Sequence, residues 1–362
     1  MTCPHCQARL LGKERVGGTC ARCGRAFALD PKADGRGMND LRIQRRARQL
    51  TQDGRLQVTL TQFWYLSRTG NPYLAATAPR GKRHRSAWPC ALLLSAALVV
   101  TASLLPAPRG AKWWVTAMLC LFLCGWASER QSSYLPARPA WARVEPSYAA
   151  FRAMMCDRWT RVYGALPPGI VDDQTYVDQA APPERPRAAL LCSDRAVVVF
   201  LAVNGLLREW GLVVAGTVDD LPAGVPVVVL HDASARGTVL ALETRAALPG
   251  RVVVDAGLSA DTARARQLVR LVDGPSTIDA ERLRTAAGLP LTIADWLAEG
   301  WWCPLASVPP ARLETVVGHA VRQAVERDRL AGDPRHRRLS QAGFLTWPTP
   351  PETTPTEGGA PR

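Results

Sequence analysis

Residues 188–255 read AALLCSDRAVVVFLAVNGLLREWGLVVAGTVDDLPAGVPVVVLHDASARGTVLALETRAALPGRVVVD, and their pattern decides the fold. Four short apolar runs stand out: Ala188–Cys192, Leu212–Ala215, Val225–Leu230 and Arg251–Val254. Helical periodicity fills the gaps at Arg195–Trp210 and Thr238–Leu248, and a further helix is expected over Ser259–Val272. Uninterrupted β-branched runs that alternate with helices predict a small, mainly parallel sheet covered on both faces. Polar residues gather just past the run ends: Cys192, Ser193 and Asp194, then His231 and Asp232, then Asp255. The crevice beyond the carboxyl ends of parallel strands is the usual ligand site. Asp194, Asp232 and Asp255 are therefore the weak catalytic candidates, and three carboxylates there suit Mg²⁺. The competing reading makes each a helix cap, most naturally Asp194 before Arg195.

Asp232-Ala233-Ser234-Ala235-Arg236-Gly237 resembles the D-x-D-x-x-G stretch of Toprim domains over residues 188–275. That family binds Mg²⁺ for phosphodiester chemistry. The resemblance puts Asp232 and Ser234 at the acid positions and Gly237 at the turn glycine. Ser234 replaces the second acid, and no glutamate stands near Ser193 or Asp194. It implies a degenerate, inactive relative. The stretch after Cys192 carries no G-x-G-x-x-G, no P-loop occurs, and Ser193 has no flanking glycines for a nucleophile elbow.

At the N-terminus, Cys3-Pro-His-Cys6 and Cys20-Ala-Arg-Cys23 form two C-x2-C pairs separated by 13 residues. Each pair can present two thiolates from one tight turn, and tetrahedral sulfur ligation fits zinc best. Iron fits the same four sulfurs. Gly24 suits the left-handed turn after the second pair. The spacing resembles zinc-ribbon or rubredoxin-type knuckles over residues 1–30, which implies Cys3, Cys6, Cys20 and Cys23 as ligands, with His5 outside the set. A closed four-sulfur site leaves no position for substrate, so the expected role is structural.

The chain has 362 residues, room for two or three units, and an apolar share of 47 %, which excludes a disordered chain. Its formal charge is +14, concentrated at one end: residues 1–85 hold 17 basic and five acidic residues. Such a surface attracts nucleic acid or anionic lipid. Ten cysteines are too few for a disulfide scaffold of this length, and no apolar segment precedes Cys3, so no cleavable signal is expected.

Residues 40–50, DLRIQRRARQL, read as a short basic helix capped by Asn39 or Asp40, followed by a strand-like LQVTL and an aromatic helix. Ser86–Leu105 carries 20 uncharged residues and Trp113–Ser128 carries 16. A spanning helix needs about 20. With Arg80, Lys82, Arg83 and Arg85 before them and Arg130, Arg138 and Arg143 after them, these blocks predict a two-helix transmembrane hairpin. Tyr148–Tyr163 reads as an amphipathic helix.

The expected organisation is multi-domain: a four-Cys zinc ribbon (1–30), a basic helical connector (31–85) and a transmembrane hairpin (86–128). There follow a linker with an amphipathic helix (129–187), the α/β domain (188–275), a helical extension (276–345) and a disordered tail (346–362). The expected function is a membrane-anchored cytoplasmic adaptor or regulator in the inner or cytoplasmic membrane, both termini cytoplasmic. Structural zinc, a protein partner at the membrane and anionic lipid near 80–85 accompany this reading. The alternatives are a Mg²⁺-dependent phosphoesterase or nuclease of Toprim type, or a membrane-tethered nucleic-acid-binding protein. No complete catalytic motif favours an enzyme.

Overall fold

The computed structural model describes residues 1–31, 34, 38–67, 87–104, 109–132, 146–178, 181–265, 269–335 and 338. The segment at 80–85 and the tail at 346–362 lie outside the described residues.

The chain opens with two knuckles joined by a 3-10 turn at Gly12–Gly18. Helix α1 (Asp40–Thr51) follows, then strand β1 (Val58–Thr59) and helix α2 (Leu60–Leu66). Asn39 is the cap of α1, its side chain accepting the N–H of Arg42. Thr59 and Gln62 form a reciprocal capping box at α2.

Helices α3 (Ala87–Leu104) and α4 (Arg109–Ser132) pack on each other. They correct the expected transmembrane hairpin over 86–128. No helix among the described residues is long and apolar enough to cross a membrane. The 18 residues of α3 extend about 27 Å at 1.5 Å each, short of a hydrocarbon core of about 30 Å. Helix α4 has 24 residues, but Arg109, Lys112, Glu129 and Arg130 confine its uncharged run to 16, about 24 Å. The inner or cytoplasmic membrane location with both termini cytoplasmic, the partner at the membrane and the membrane-anchored adaptor or tethered binder lose their basis with it. Leu93, Trp114 and Phe122 remain more than 70 % exposed on the two helices.

Next come α5 (Tyr148–Ala153), a π-helical turn at Met154–Trp159 and α6 (Thr160–Tyr163), and then β2 (Ile170–Val171). The π turn brings Met155 and Trp159 inward together with Phe151. β2 pairs in parallel with β1, Val58 opposite Ile170. One core therefore unites Leu29, Ile43, Phe63, Phe151, Met155 and Trp159, drawn from the knuckle's exit, the connector and the 148–163 helix.

The α/β region begins with β3 (Ala188–Leu191), α7 (Arg195–Val203), α8 (Leu206–Glu209) and β4 (Leu212–Ala215). It continues through β5 (Val227–Val229), α9 (Ala235–Ala247) and β6 (Val253–Asp255). The four strands form one all-parallel sheet in the order β4-β3-β5-β6. Leu190, Val228 and Val254 face one side with Val197 and Phe200 of α7. Leu191, Val229 and Val253 face the other with Ala241 of α9. The parallel α/β reading of residues 188–255 holds.

Helix α10 (Ala260–Ala265) is shorter than expected, because Leu271–Val272 is not its end but strand β7. After α11 (Ala280–Ala287) and α12 (Leu291–Ala298), strand β8 (Trp301–Trp302) pairs antiparallel with β7. Helix α13 (Pro310–Gly332) closes the Leu190 face of the sheet with Leu313, Val317 and Val321.

Candidate metal centre

The two knuckles have the same construction. Cys3 N–H bonds Ala8 O and Cys20 N–H bonds Arg25 O. Short bridges, Thr2 with Arg9 and Thr19 with Ala26, close each loop. The residue after each second cysteine is left-handed, Gln7 at φ 57° and Gly24 at φ 68°. Only the second of these is a glycine, so the spacing of glycines marks one turn and hides the other.

The four sulfurs lie within 4.8 Å of one another. Cys3 Sγ is 3.8 Å from Cys23 Sγ, and Cys6 Sγ is 3.8 Å from Cys20 Sγ. These are not disulfides. A tetrahedron of sulfurs at about 2.3 Å from a central zinc has edges of about 3.8 Å. Two of the cluster's six edges have that length and none exceeds 4.8 Å, close to the size a tetrahedral metal needs. His5 is turned away, its Nε2 2.8 Å from Ala26 O. Burial opposes charge on Cys20, but the N–H groups of Cys23 and Arg22 hold its thiol down to about 7. An amide from Arg25 favours a charge on Cys23, but burial and its three sulfur neighbours push it up to about 11. Four thiolates this close need a cation to ionise together.

Asp40 fastens the knuckle to the rest of the molecule. It is fully buried. Its carboxylate accepts the N–H groups of Ala28 and Leu29 at 2.8 Å each and the Tyr163 hydroxyl at 2.6 Å. Burial pushes its pKa up, against the pull of these three donors. The Tyr163 ring stacks on His5. Arg158 grips Asp34 at 2.5 Å and Ala28 O at 2.7 Å, and Arg15 pairs with Asp30 at 3.0 Å. The sequence marks Asp40 only as a possible cap, and no local pattern announces its role.

The strand-end carboxylates share one edge of the sheet, since Leu191, Val229 and Asp255 are register partners. The chain turns outward from β3 to β4 and then crosses back to β5, so Asp194 and Asp232 flank the switch point. They are close enough that Asp232 adds to the effect of burial in raising the Asp194 pKa. Asp194 caps α7 through the N–H groups of Ala196 and Val197. Asp232 accepts the Ser234 hydroxyl at 2.6 Å, and Ser234 in turn caps α9. Asp255 pairs with His231, 3.2 Å away, and accepts the N–H of Gly257. Among the described residues, only the four cysteines form a group of three or more side chains able to share a metal.

Sequence reasoning missed what covers this edge. Ala233 and Cys303 exchange backbone hydrogen bonds at 3.1 and 3.2 Å, and Ala306 N–H reaches Asp194. Cys303, Leu305, Ala306 and Ser307 are all buried there. Burial pushes the Cys192 thiol up to about 12 and Cys303 up to about 11, so neither is a ready nucleophile at neutral pH.

In comparisons with known proteins, no family model, no curated protein and no solved structure matches this chain. What is shown is a compact four-cysteine ligand group, consistent with a zinc-ribbon or rubredoxin-like knuckle, beside an α/β region with a small parallel sheet.

Proposed function

We propose that the protein is a zinc-stabilised binding protein, in which the metal holds the N-terminal knuckle in place and the parallel-sheet region serves as a scaffold. The observation that carries this reading is the closed sulfur tetrahedron, with two edges of 3.8 Å and His5 diverted to a carbonyl. Cys3, Cys6, Cys20 and Cys23 would hold the zinc and fill its coordination, leaving no position for a substrate or an activated water. The knuckle has little core of its own beyond Cys3, Leu10 and Cys20. Metal binding therefore supplies much of its folding free energy. The scaffold reading of the sheet is supported by the segment at 303–307, which seats itself over the strand ends.

The test is metal analysis of the purified full chain. About one zinc per chain is expected, lost in Cys20→Ser and removed by strong chelators with loss of thermal stability. A metal-free chain with an unchanged melting transition would refute the structural role. Tight Mg²⁺ binding that Asp232→Asn abolishes would refute the scaffold reading of the sheet.

A further inference from the structure

The positive charge of the N-terminal region has a definite place on the surface. A cavity of about 600 Å³ lies between the first knuckle and helix α1. Met1 and Thr2 form one wall, and Arg42, Arg45, Arg46 and Gln49 form the other. These four positions recur at helical spacing, so they share one face of α1. Among the described residues, no carboxylate lines the cavity. Four of the region's five acids are engaged elsewhere: Asp30 on Arg15, Asp34 on Arg158, Asp40 on buried backbone amides, and Glu14 on the N–H of Leu11; the fifth, Asp53, sits in the turn after α1 and is not part of the lining. Burial and the neighbouring charge of Arg46 both work against the charge of Arg42, whose guanidinium also reaches the Ser67 carbonyl at 3.5 Å.

We infer that this groove binds the phosphodiester backbone of a nucleic acid, with Arg42, Arg45 and Arg46 contacting phosphates. Guanidinium groups match phosphate oxygens two at a time. Three of them around a cavity of this size suit a run of phosphates better than one. Among the described residues no aromatic ring lines the groove to stack on a base, so the binding reads backbone and not sequence. The inference rests on the zinc reading in one respect: the Met1–Thr2 wall is held by the first knuckle through the Thr2–Arg9 bridge.

The experiment titrates the zinc-loaded full chain against a fluorescent 20-base-pair duplex over a range of salt, with inorganic phosphate as a second probe. Affinity should fall steeply with salt. In the double variant Arg45→Gln/Arg46→Gln the slope of log K against log salt should become shallower by about 1.8, for two lost phosphate contacts. Affinity at low salt should fall at least about tenfold, with the zinc content unchanged. Arg48→Gln, on α1 but outside the groove, should retain the parent slope. Equal affinity and slope in the double variant and the parent would overturn the inference. So would an equal loss in Arg48→Gln, or saturable binding of inorganic phosphate without duplex binding. Because zinc is assayed in each variant, failure of the groove and failure of the metal reading are distinguishable. A variant that keeps zinc and duplex affinity defeats only the former.

Discussion

Replacing Asp40 with alanine isolates the joint between the knuckle and the helical core. The side chain is fully buried and receives three donors, two of them backbone N–H groups that have no route to water. Each buried donor left without an acceptor costs about 1–3 kcal/mol. Two give about 2–6 kcal/mol, while the Tyr163 hydroxyl, only partly buried, can turn to solvent. Against this stands the relief of a buried carboxylate, a cost made visible by its raised pKa. The balance is a loss of about 2–4 kcal/mol from this unit. Asp40→Asn should lie between parent and alanine, because an amide offers one acceptor and sets an NH₂ against the remaining donors. The assay is zinc release from the full chain to a chromogenic chelator present in excess. If release requires local opening, it should accelerate roughly 30- to 700-fold in Asp40→Ala at a tenfold change per 1.4 kcal/mol. Tyr163→Phe should change it by less than about tenfold. A release rate for Asp40→Ala within threefold of the parent would refute the view that this carboxylate couples the metal to the core.

The paired knuckles make a second test. Gln7 bears the cost of left-handed backbone that Gly24 avoids, so Gln7→Gly should raise stability by about 0.5–1 kcal/mol and Gly24→Ala should lower it by about 1. Nothing lies within 4 Å of a Cβ at Gly24, so its cost is purely conformational, and a lower melting temperature for Gln7→Gly would contradict the account. The His231–Asp255 pair predicts a pH dependence. Burial opposes both charges, yet their mutual hydrogen bond prevails, raising the pKa of His231 and lowering that of Asp255. The histidine contribution is complete below about pH 6.5 and is lost as pH rises through its raised value, and the aspartate contribution is complete above about 4 and is lost as pH falls further. Urea midpoints of the parent should therefore decline from pH 6.5 to 8 more than those of Asp255→Asn, and parallel curves would exclude the pair as the cause.

The strands of the sheet were legible because they are apolar and largely buried on both faces, with Asp255 at the end of β6 the one polar residue among them. Leu212–Ala215 has the expected bounds, and the order of strand and helix follows the apolar runs. The helix expected over Arg195–Trp210 is interrupted at Asn204-Gly205, where Gly205 turns left-handed at φ 72°. The helix expected to reach Val272 stops at Ala265, because Leu271–Val272 pairs with Trp301–Trp302, 30 residues further on. Pairing over such a distance leaves no trace in local periodicity. The cysteine cluster was legible because metal chemistry imposes its own spacing. Asp40 was not, since a carboxylate at a helix start looks the same whether it caps the helix or, as here, yields that task to Asn39. The uncharged blocks at 86–105 and 113–128 show how hydropathy counts residues, whereas a bilayer measures length along a helix axis.

The contacts between the two cores bear on what the metal can stabilise. Arg55 reaches across to Glu314 of α13 with two hydrogen bonds, at 3.0 and 2.7 Å. Asn204, at the end of α7, exchanges two hydrogen bonds with the backbone of Gln57, each 2.8 Å. Tyr65 of α2 packs against both cores, and the negative groups around it, Asp194 among them, add to burial in raising its pKa. The surface pair at Arg55 is worth little in itself. The three contacts nonetheless run from the sheet to the same short stretch, residues 55–65, which also supplies β1 and α2 to the core beside the knuckle. Residues 55–65 are therefore shared between the core beside the knuckle and the sheet region, so loosening of that core is expected to disturb the contacts of Tyr65 and Gln57 with the sheet region. That sharing gives a physical route by which a knuckle with little core of its own can be coupled to a larger sheet.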